Sequence, residues 1–532
     1  MKKFILIIII SIILIITSFC INMSPKYKYI ILITFDTLRQ DAISPYNKNI
    51  NHTPNFEKLA QEGIKFNNAY THIPITLPSH ASILYSKLPW DLSAYFNGEP
   101  VATKFLSLQQ ILKKLSFKTA AFTSLGVLKK FFGLSNYFDY YQDVNNYNKR
   151  QYLFADEVNS EVFNWLKNNY KNSFFIWIHY SDPHEPYITK YSPPDLVINL
   201  NNTTIAQIQS GLKELTTLNI KLLAGNNKLD LIPIQPNKSL LKSFNLNKLS
   251  ITNNIIKIIP DPDLHSHNNL QFKDKISFSI HNPSNNIIDT TLQIQLNASQ
   301  TLYEIRKNYS KEVEYLDNEL GKLINKLKFY NIYSKSLIIL ISDHGEGLGD
   351  HKGVISHESQ VYLSQLKIPF IIIDHIHKKN INALVTPIDV APTILSYLKI
   401  KKITSFDGIN LLPIISSEKY PNKIRNYIKS ATFYYLKNNP DHIFIQSSII
   451  DFNYHMIYYF NTDSTEFYNI ETDYKEKKNL LNDNLSSTSF KSMKKITDSL
   501  NKDIQNTLKQ HIRQTVPQEL KDQLESLGYA TH

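Results

Sequence analysis

The strongest constraint in this chain is a set of short, unbroken apolar runs that each stop abruptly at chemistry-bearing residues. Tyr29 to Phe35 (YIILITF) is rich in β-branched residues, shows no polar alternation and ends at Asp36. Lys118–Phe122, Phe174–Ile178, Ser336–Ile341 and Pro369–Ile373 have the same character. A strand that is apolar on both sides has to be covered on both faces, as in a parallel sheet held between helices. Helical periodicity fills the intervals. Ala155, Val158, Val162, Phe163 and Leu166 share one face, as do Tyr309, Val313, Leu316, Leu320, Leu323 and Leu327. Strands alternating with amphipathic helices predict an α/β fold around a mostly parallel sheet.

One stretch breaks the pattern. Residues 195–299 are Asn-rich, and their last part alternates at Ile276, Phe278, Ile280 and again at Leu292, Ile294, Leu296 around the turn-like segment 281–285. That is the period of antiparallel strands with one covered face. The expected organisation is an N-terminal segment over 1–27, a catalytic domain in two parts (28–194 and 300–417), a β-rich insertion over 195–299, and a small C-terminal α+β subdomain over 418–532.

Over 532 residues, 42% hydrophobic and 20% charged content suits a chain with ample core. The net charge of +12 comes without a clustered basic motif, so nucleic acid is not an expected partner. Cys20 is the single cysteine, which excludes an internal disulfide framework and a Cys-based zinc site. Lys2 and Lys3 precede an apolar run from Phe4 to Ile16, which reads as an export signal or membrane anchor. The expectation is an extracytoplasmic, membrane-anchored protein (periplasm or cell surface), with a signal anchor favoured over lipidation at Cys20.

Polar residues gather where the buried runs end, the edge at which open parallel sheets bind ligands. Asp36 closes the first run, His179, Asp182 and His184 follow the third, and Ser342-Asp343-His344-Gly345-Glu346 follows the fourth. Asp36, Asp343 and His344 together predict a divalent metal site, the donor set pointing to zinc or manganese. His184 and His357 are expected to serve a second metal or the substrate, and His351 to be a loop residue. In Ile75-Thr76-Leu77-Pro78-Ser79-His80, Pro78 marks a helix start. That places Thr76 where free backbone N–H groups favour an anion, either as a cap or as a metal-bound nucleophile.

These residues sit in motifs with a recognisable order. Phe35-Asp36-Thr37-Leu38-Arg39, Thr53-Pro54-Asn55-Phe56, Thr76-Leu77-Pro78-Ser79-His80, Asp182-Pro183-His184-Glu185-Pro186, Ser342-Asp343-His344-Gly345-Glu346, Asp389-Val390-Ala391-Pro392-Thr393 and Glu466-Phe467-Tyr468-Asn469-Ile470 run in sequence. Together they resemble sulfatase-type members of the alkaline phosphatase superfamily. The resemblance implies that superfamily's sandwich around a mostly parallel sheet, with Asp36, Thr76, Asp343 and His344 at a divalent metal (Zn, Mn or Ca). It further implies Thr76 as nucleophile, with His184, His357 and His80 near substrate or a second metal. Sulfatases proper carry Cys or Ser, matured to formylglycine, where this chain has Thr76, and an Arg where it has His80. Threonine with Asp343-His344 looks instead like the phosphodiesterase and phosphoethanolamine or phosphoglycerol transferase branches. The expectation is therefore a hydrolase or transferase of phosphate esters, with a phosphorylated or sulfated lipid or glycan as substrate and the membrane as a neighbour. Sulfate-ester hydrolysis is the alternative, and a weakly catalytic, membrane-tethered binding scaffold the second.

Overall fold

The computed structural model describes residues 27–511 and 517, apart from 51, 102–103, 145–150, 186, 188–195, 209–215, 234–243, 252–255, 261–269, 273–274, 299–300, 352, 401–402, 418–422, 437–438 and 482–486. An eight-stranded sheet is built from β1 (Tyr29–Phe35), β2 (Ile64–Ala69), β3 (Lys118–Phe122), β4 (Tyr140–Gln142), β5 (Phe174–Tyr180), β6 (Ser336–Ser342), β7 (Phe370–Ile373) and β8 (Lys379–Val385). Its spatial order is β8-β2-β7-β6-β1-β5-β3-β4. Every residue of β1, β5 and β6 is buried, as their unbroken apolar sequences require. β1 runs parallel between β5 and β6, with Phe35 level with both Tyr180 and Ser342. That shared register delivers the residues after all three strands to one edge.

The sheet is covered on both sides. Ile30 and Leu32 of β1 pack with α2 (Thr76–Tyr85) through Leu77, Ala81 and Leu84. Ile31 and Ile33 face α1 (Pro54–Glu62), α3 (Ala155–Asn169) and α4 (Leu302–Phe329). Each of these four strand side chains contributes about 1.5–3 kcal/mol on leaving water. Only β7 runs against the other strands of this sheet, pairing antiparallel with β6 and β2. The link from β6 to β7 carries just the one-turn helix Leu363–Leu366, so the chain never crosses over to the opposite edge and must run back.

Between β5 and α4, nine antiparallel strands form sheets of four and five. Leu196, Ile198, Leu229, Leu231, Phe278 and Ile280 of one share a core with Leu246, Leu249, Leu292 and Ile294 of the other, making a β-sandwich. The 281–285 turn passes the chain from one sheet to the other. C-terminally, Ile428–Leu436, Asn439–Ile450, Tyr454–Tyr459 and Ser464–Asn469 form an antiparallel meander. α5 (Thr488–Leu508) covers it with Met493, Leu500 and Ile504.

The expected membrane anchor finds no support among the described residues. The apolar run after Lys3 lies outside the described residues, and among the described residues no helix is long and apolar enough to cross a membrane. The apolar sequence of the body is spent on short strands and one-sided helices, none supplying the roughly 20 apolar residues that a crossing takes.

Candidate active site

The strand ladder itself aims the two carboxylates. The Asp36 N–H donates to Tyr180 O at 2.8 Å and the Asp343 N–H to Phe35 O at 3.1 Å, so both residues continue the sheet by one position. Thr37 then turns away in the left-handed region (φ 54°), which lets its N–H reach Asp343 Oδ1 at 3.3 Å. The His344 N–H donates to the same oxygen at 2.6 Å. One oxygen of Asp343 is thus committed, while Asp343 Oδ2 and Asp36 Oδ1 are buried without a hydrogen-bond partner.

His344 faces both. Its Nδ1 can only donate to the Gly345 carbonyl, at 3.0 Å, which leaves Nε2 with its lone pair. That nitrogen lies 3.4 Å from Asp343 Oδ2 and 3.7 Å from Asp36 Oδ1. Asp36, Asp343 and His344 present ligand atoms that all lie within 4.8 Å of one another. Three lone-pair-bearing atoms converge at one point of the sheet edge, so the donor set fits a divalent ion.

Thr76 completes the group. It is the first residue of α2, but Ile75 is the N-cap and makes no side-chain cap bond. The Thr76 hydroxyl is therefore not spent on capping. It lies 3.4 Å from Asp36 Oδ2 and 3.3 Å from His344 Nε2. One turn along, His80 backs this residue. Its Nδ1 donates to Thr76 O at 2.8 Å, and its Nε2, 3.0 Å from Thr34 Oγ1, accepts that hydroxyl's proton. Thr34 in turn accepts from the Trp177 indole at 2.8 Å. The chain of donors runs one way, from Trp177 through Thr34 to His80, and holds His80 in one neutral tautomer.

Electrostatics separate the two acids. Burial works to raise Asp36, but the His179 imidazole 3.5 Å away and the neighbouring His184 and His344 rings hold it well below the usual carboxylate range. Burial and the Asp36 charge together push Asp343 well above that range. Burial, reinforced by His357, takes His344 down to about 3, and burial likewise puts His80 well below its ordinary value.

His184 and His357 meet beside this group. Their ring centroids are 5.0 Å apart, and His357 is 4.6 Å from His344. His184 Nδ1 donates to Glu185 O at 2.5 Å. His357 Nδ1 lies 3.3 Å from Glu346 Oε2. Burial opposes a charge on His357, yet the Glu346 carboxylate outweighs it and raises the imidazole to about 9. His184 is lowered by burial. The two histidines therefore hold opposite protonation states at neutral pH.

Two participants were visible at the ends of the apolar runs but carried no assigned role in the sequence. His179, noted after the third run, lies within β5, level with Thr34. Glu346 shows its role only through the fold, eleven residues from the histidine it charges. Asp182 turns out to accept from the Ala155 N–H at 3.0 Å, at the start of α3. His351 is a loop residue stacked on Tyr362, outside the group.

The sulfatase family profile matches residues 28–400, and the profile of the N-sulphoglucosamine sulphohydrolase C-terminal region matches 357–514. An N-acetylglucosamine-6-O-sulfatase of Bacteroides thetaiotaomicron is 23% identical over 490 residues, covering 86% of this chain and 83% of that one. A protein solved with its substrate D-glucosamine-2-N,6-O-disulfate superposes with a TM-score of 0.59 at 16% identity, over 91% of this chain and 99% of that one. The phosphonate monoester hydrolase of Agrobacterium radiobacter superposes at 0.56 and 15% identity, over 93% and 97%. The fold thus hosts more than one ester chemistry, and a threonine at position 76 does not by itself select phosphate. Sulfatase relatives along most of the chain, with a sulphohydrolase profile over its C-terminal part, overturn the expectation of a phosphate-ester substrate in favour of the sulfate-ester alternative. The chain belongs to the sulfatase family.

Proposed function

We propose that this protein hydrolyses sulfate esters of a sulfated saccharide, with Thr76 at the reacting centre. The observation that carries the reading is the meeting of Thr76 with Asp36, Asp343 and His344 at one sheet edge of a sulfatase fold. Relatives that act on sulfated amino sugars support the saccharide.

Asp36, Asp343, His344 and the Thr76 hydroxyl would hold a divalent ion, which when bound supplies Lewis-acid charge against the sulfate oxygens. A nitrogen in the donor set favours zinc or manganese over calcium, which prefers six to eight oxygens. Thr76 Oγ1 attacks sulfur, with Asp36 Oδ2, 3.4 Å away, accepting its proton. The new O–S bond forms as the ester S–O bond breaks, and the departing alcohol oxygen takes the proton of His357, which Glu346 keeps charged. Water then attacks the sulfur of the sulfo-threonine and the S–Oγ1 bond breaks, with neutral His357 or His184 taking the water's proton, Asp36 returning its proton to Thr76 Oγ1, and sulfate leaving. Threonine offers no aldehyde hydrate to expel sulfate, so this second step is the slower one.

The test is sulfate release, measured by ion chromatography, from glucosamine 6-sulfate, N-sulfated glucosamine and an aryl sulfate, with zinc, manganese and calcium each supplied. Aryl phosphodiesters and phosphomonoesters run in parallel. Sulfate release well above phosphoryl turnover is expected. Phosphoryl turnover with no sulfate release under any metal would overturn the reading.

A further inference from the structure

We propose that the cleft between α1 and the β2–β8 edge is an exosite that holds a sulfated polysaccharide chain away from the reacting centre. The choice of partner rests on the sulfate-ester reading. The cleft has a volume of about 390 Å³ and is lined by Lys48, Lys65, Lys378 and Lys379 against a single carboxylate, Glu57. Glu57 Oε1 accepts from the Gln61 amide. Lys48 and Lys378 are exposed, and Lys65 and Lys379 are half-buried.

The fold fixes this excess of charge in place. Lys379 stands opposite Ile64 at the start of the β8–β2 ladder, and Lys65, one position on, stands opposite Asn380, so the two lysines occupy one end of the ladder with their stems leaving opposite faces. Lys65 Nζ donates to Pro45 O at 2.7 Å and lies 5.1 Å from the Tyr46 ring centroid. Neither neighbour neutralises it. Burial and the Lys48 charge both lower Lys65, and charges closer than about 8 Å are poorly screened at physiological salt. A polymer bearing sulfates at regular spacing supplies several counter-charges at once, and a single small anion does not.

The cleft also leads toward the reacting centre. The 45–49 loop that forms one wall presents Tyr46, Asn47 and Asn49 to a second cavity of about 290 Å³, whose other walls include Arg39, Lys367 and Lys475 balanced by Asp41, Asp350 and Glu476. Arg39 is paired with Asp41 and Asp350, and its Nη1 donates to Glu346 O at 3.2 Å, Glu346 being the carboxylate paired with His357. The cationic excess is therefore confined to the exosite, and a saccharide chain leaving it toward Thr76 crosses polar, charge-balanced ground.

The experiment measures binding of fluorescent heparin fragments to the full chain over a range of salt. The cleft variant is Lys48→Gln, Lys378→Gln and Lys379→Gln together. A matched variant on the exposed face of α4 carries Lys307→Gln, Lys311→Gln and Lys328→Gln, an equal change in charge. Exposed ion pairs contribute a factor of about two to five each, so the cleft variant should lose on the order of tenfold in affinity. Its turnover of a small aryl sulfate should be unchanged, and its KM for a sulfated polymer should rise by a similar factor. The α4 variant should bind within about twofold of the parent. Unchanged heparin affinity in the cleft variant, an equal loss in the α4 variant, or binding to phosphatidylglycerol vesicles or DNA in preference to heparin would each overturn the exosite. Heparin binding that depends on the cleft in a protein that cleaves no sulfate ester would leave the exosite standing and sink the catalytic reading instead.

Discussion

Replacing Asp343 by Asn should stabilise the metal-free protein and abolish its stabilisation by metal. Two carboxylates with ligand atoms within 4.8 Å repel by about 3 kcal/mol at the effective dielectric of a protein site. Without a cation, the native state limits this cost by keeping a proton on Asp343, whose affinity for it is raised by burial and by Asp36. The unfolded chain releases that proton above about pH 4. Metal-free stability should therefore fall as pH climbs from there toward the raised native value, because the native state then binds more protons than the unfolded one. An amide does not titrate, so the variant loses this slope and leaves Asp36 beside a neutral group. At neutral pH in chelator, the variant should equal or exceed the parent by up to about 3 kcal/mol. In excess metal the parent should gain about 4 kcal/mol at a thousand times Kd, and the variant little. Denaturant unfolding in chelator and in saturating metal, across pH 5 to 8, reads both effects, and elemental analysis reads occupancy. A variant less stable than the parent in chelator, or one that gains as much from metal, would refute the reasoning.

The His357–Glu346 pair sets an alkaline limit. His357 is raised to about 9 from an ordinary value near 6.5, so its contribution to stability is complete below the latter and lost as pH rises through the former. Turnover should fall with an apparent pKa near 9, and Glu346→Gln should move that limb downward in a kcat/KM profile. Thr76→Ala should reduce sulfate release by about a thousandfold or more, with Thr76→Ser retaining part of it. Intact-mass measurement during turnover should find one SO₃ group on the parent and none on Thr76→Ala. Away from the site, Asp317 accepts from the Asn55 and Phe56 N–H groups at 3.1 and 2.8 Å, at the start of α1. Asp317→Ala should cost about 3 kcal/mol in denaturant unfolding, because it strands buried donors.

What could be read from sequence was what strand and helix ends impose. Asp36 and Asp343 were legible because a continuous apolar run that stops at an acid places that acid at a sheet edge. Thr76 was legible because Pro78 locates the turn that presents it. The direction of β7 was not legible, since nothing in Phe370–Ile373 encodes which way a doubly covered strand runs, and only the lack of a crossover helix decides it. His179 was visible at the end of its run, but its role was not, because its partner Asp36 comes from the adjacent strand. The charge on His357 depends on Glu346 across a loop whose closure no local pattern reports. The choice between phosphate and sulfate lay beyond the residues altogether, because a threonine hydroxyl can attack either centre, and the relatives favour sulfate.

The Trp177–Thr34–His80 relay makes the protein its own optical reporter. Trp177 is fully buried and its indole ring lies 5.3 Å from the His80 ring. A proton arriving on His80 would have to reverse the Thr34 hydroxyl, which then loses its role as acceptor for the indole or leaves two donors facing each other. Indole emission responds both to a lost hydrogen bond and to a nearby imidazolium. With Trp90 and Trp165 replaced, the remaining emission would follow the inner face of the reacting centre in real time, without a label and without a substrate.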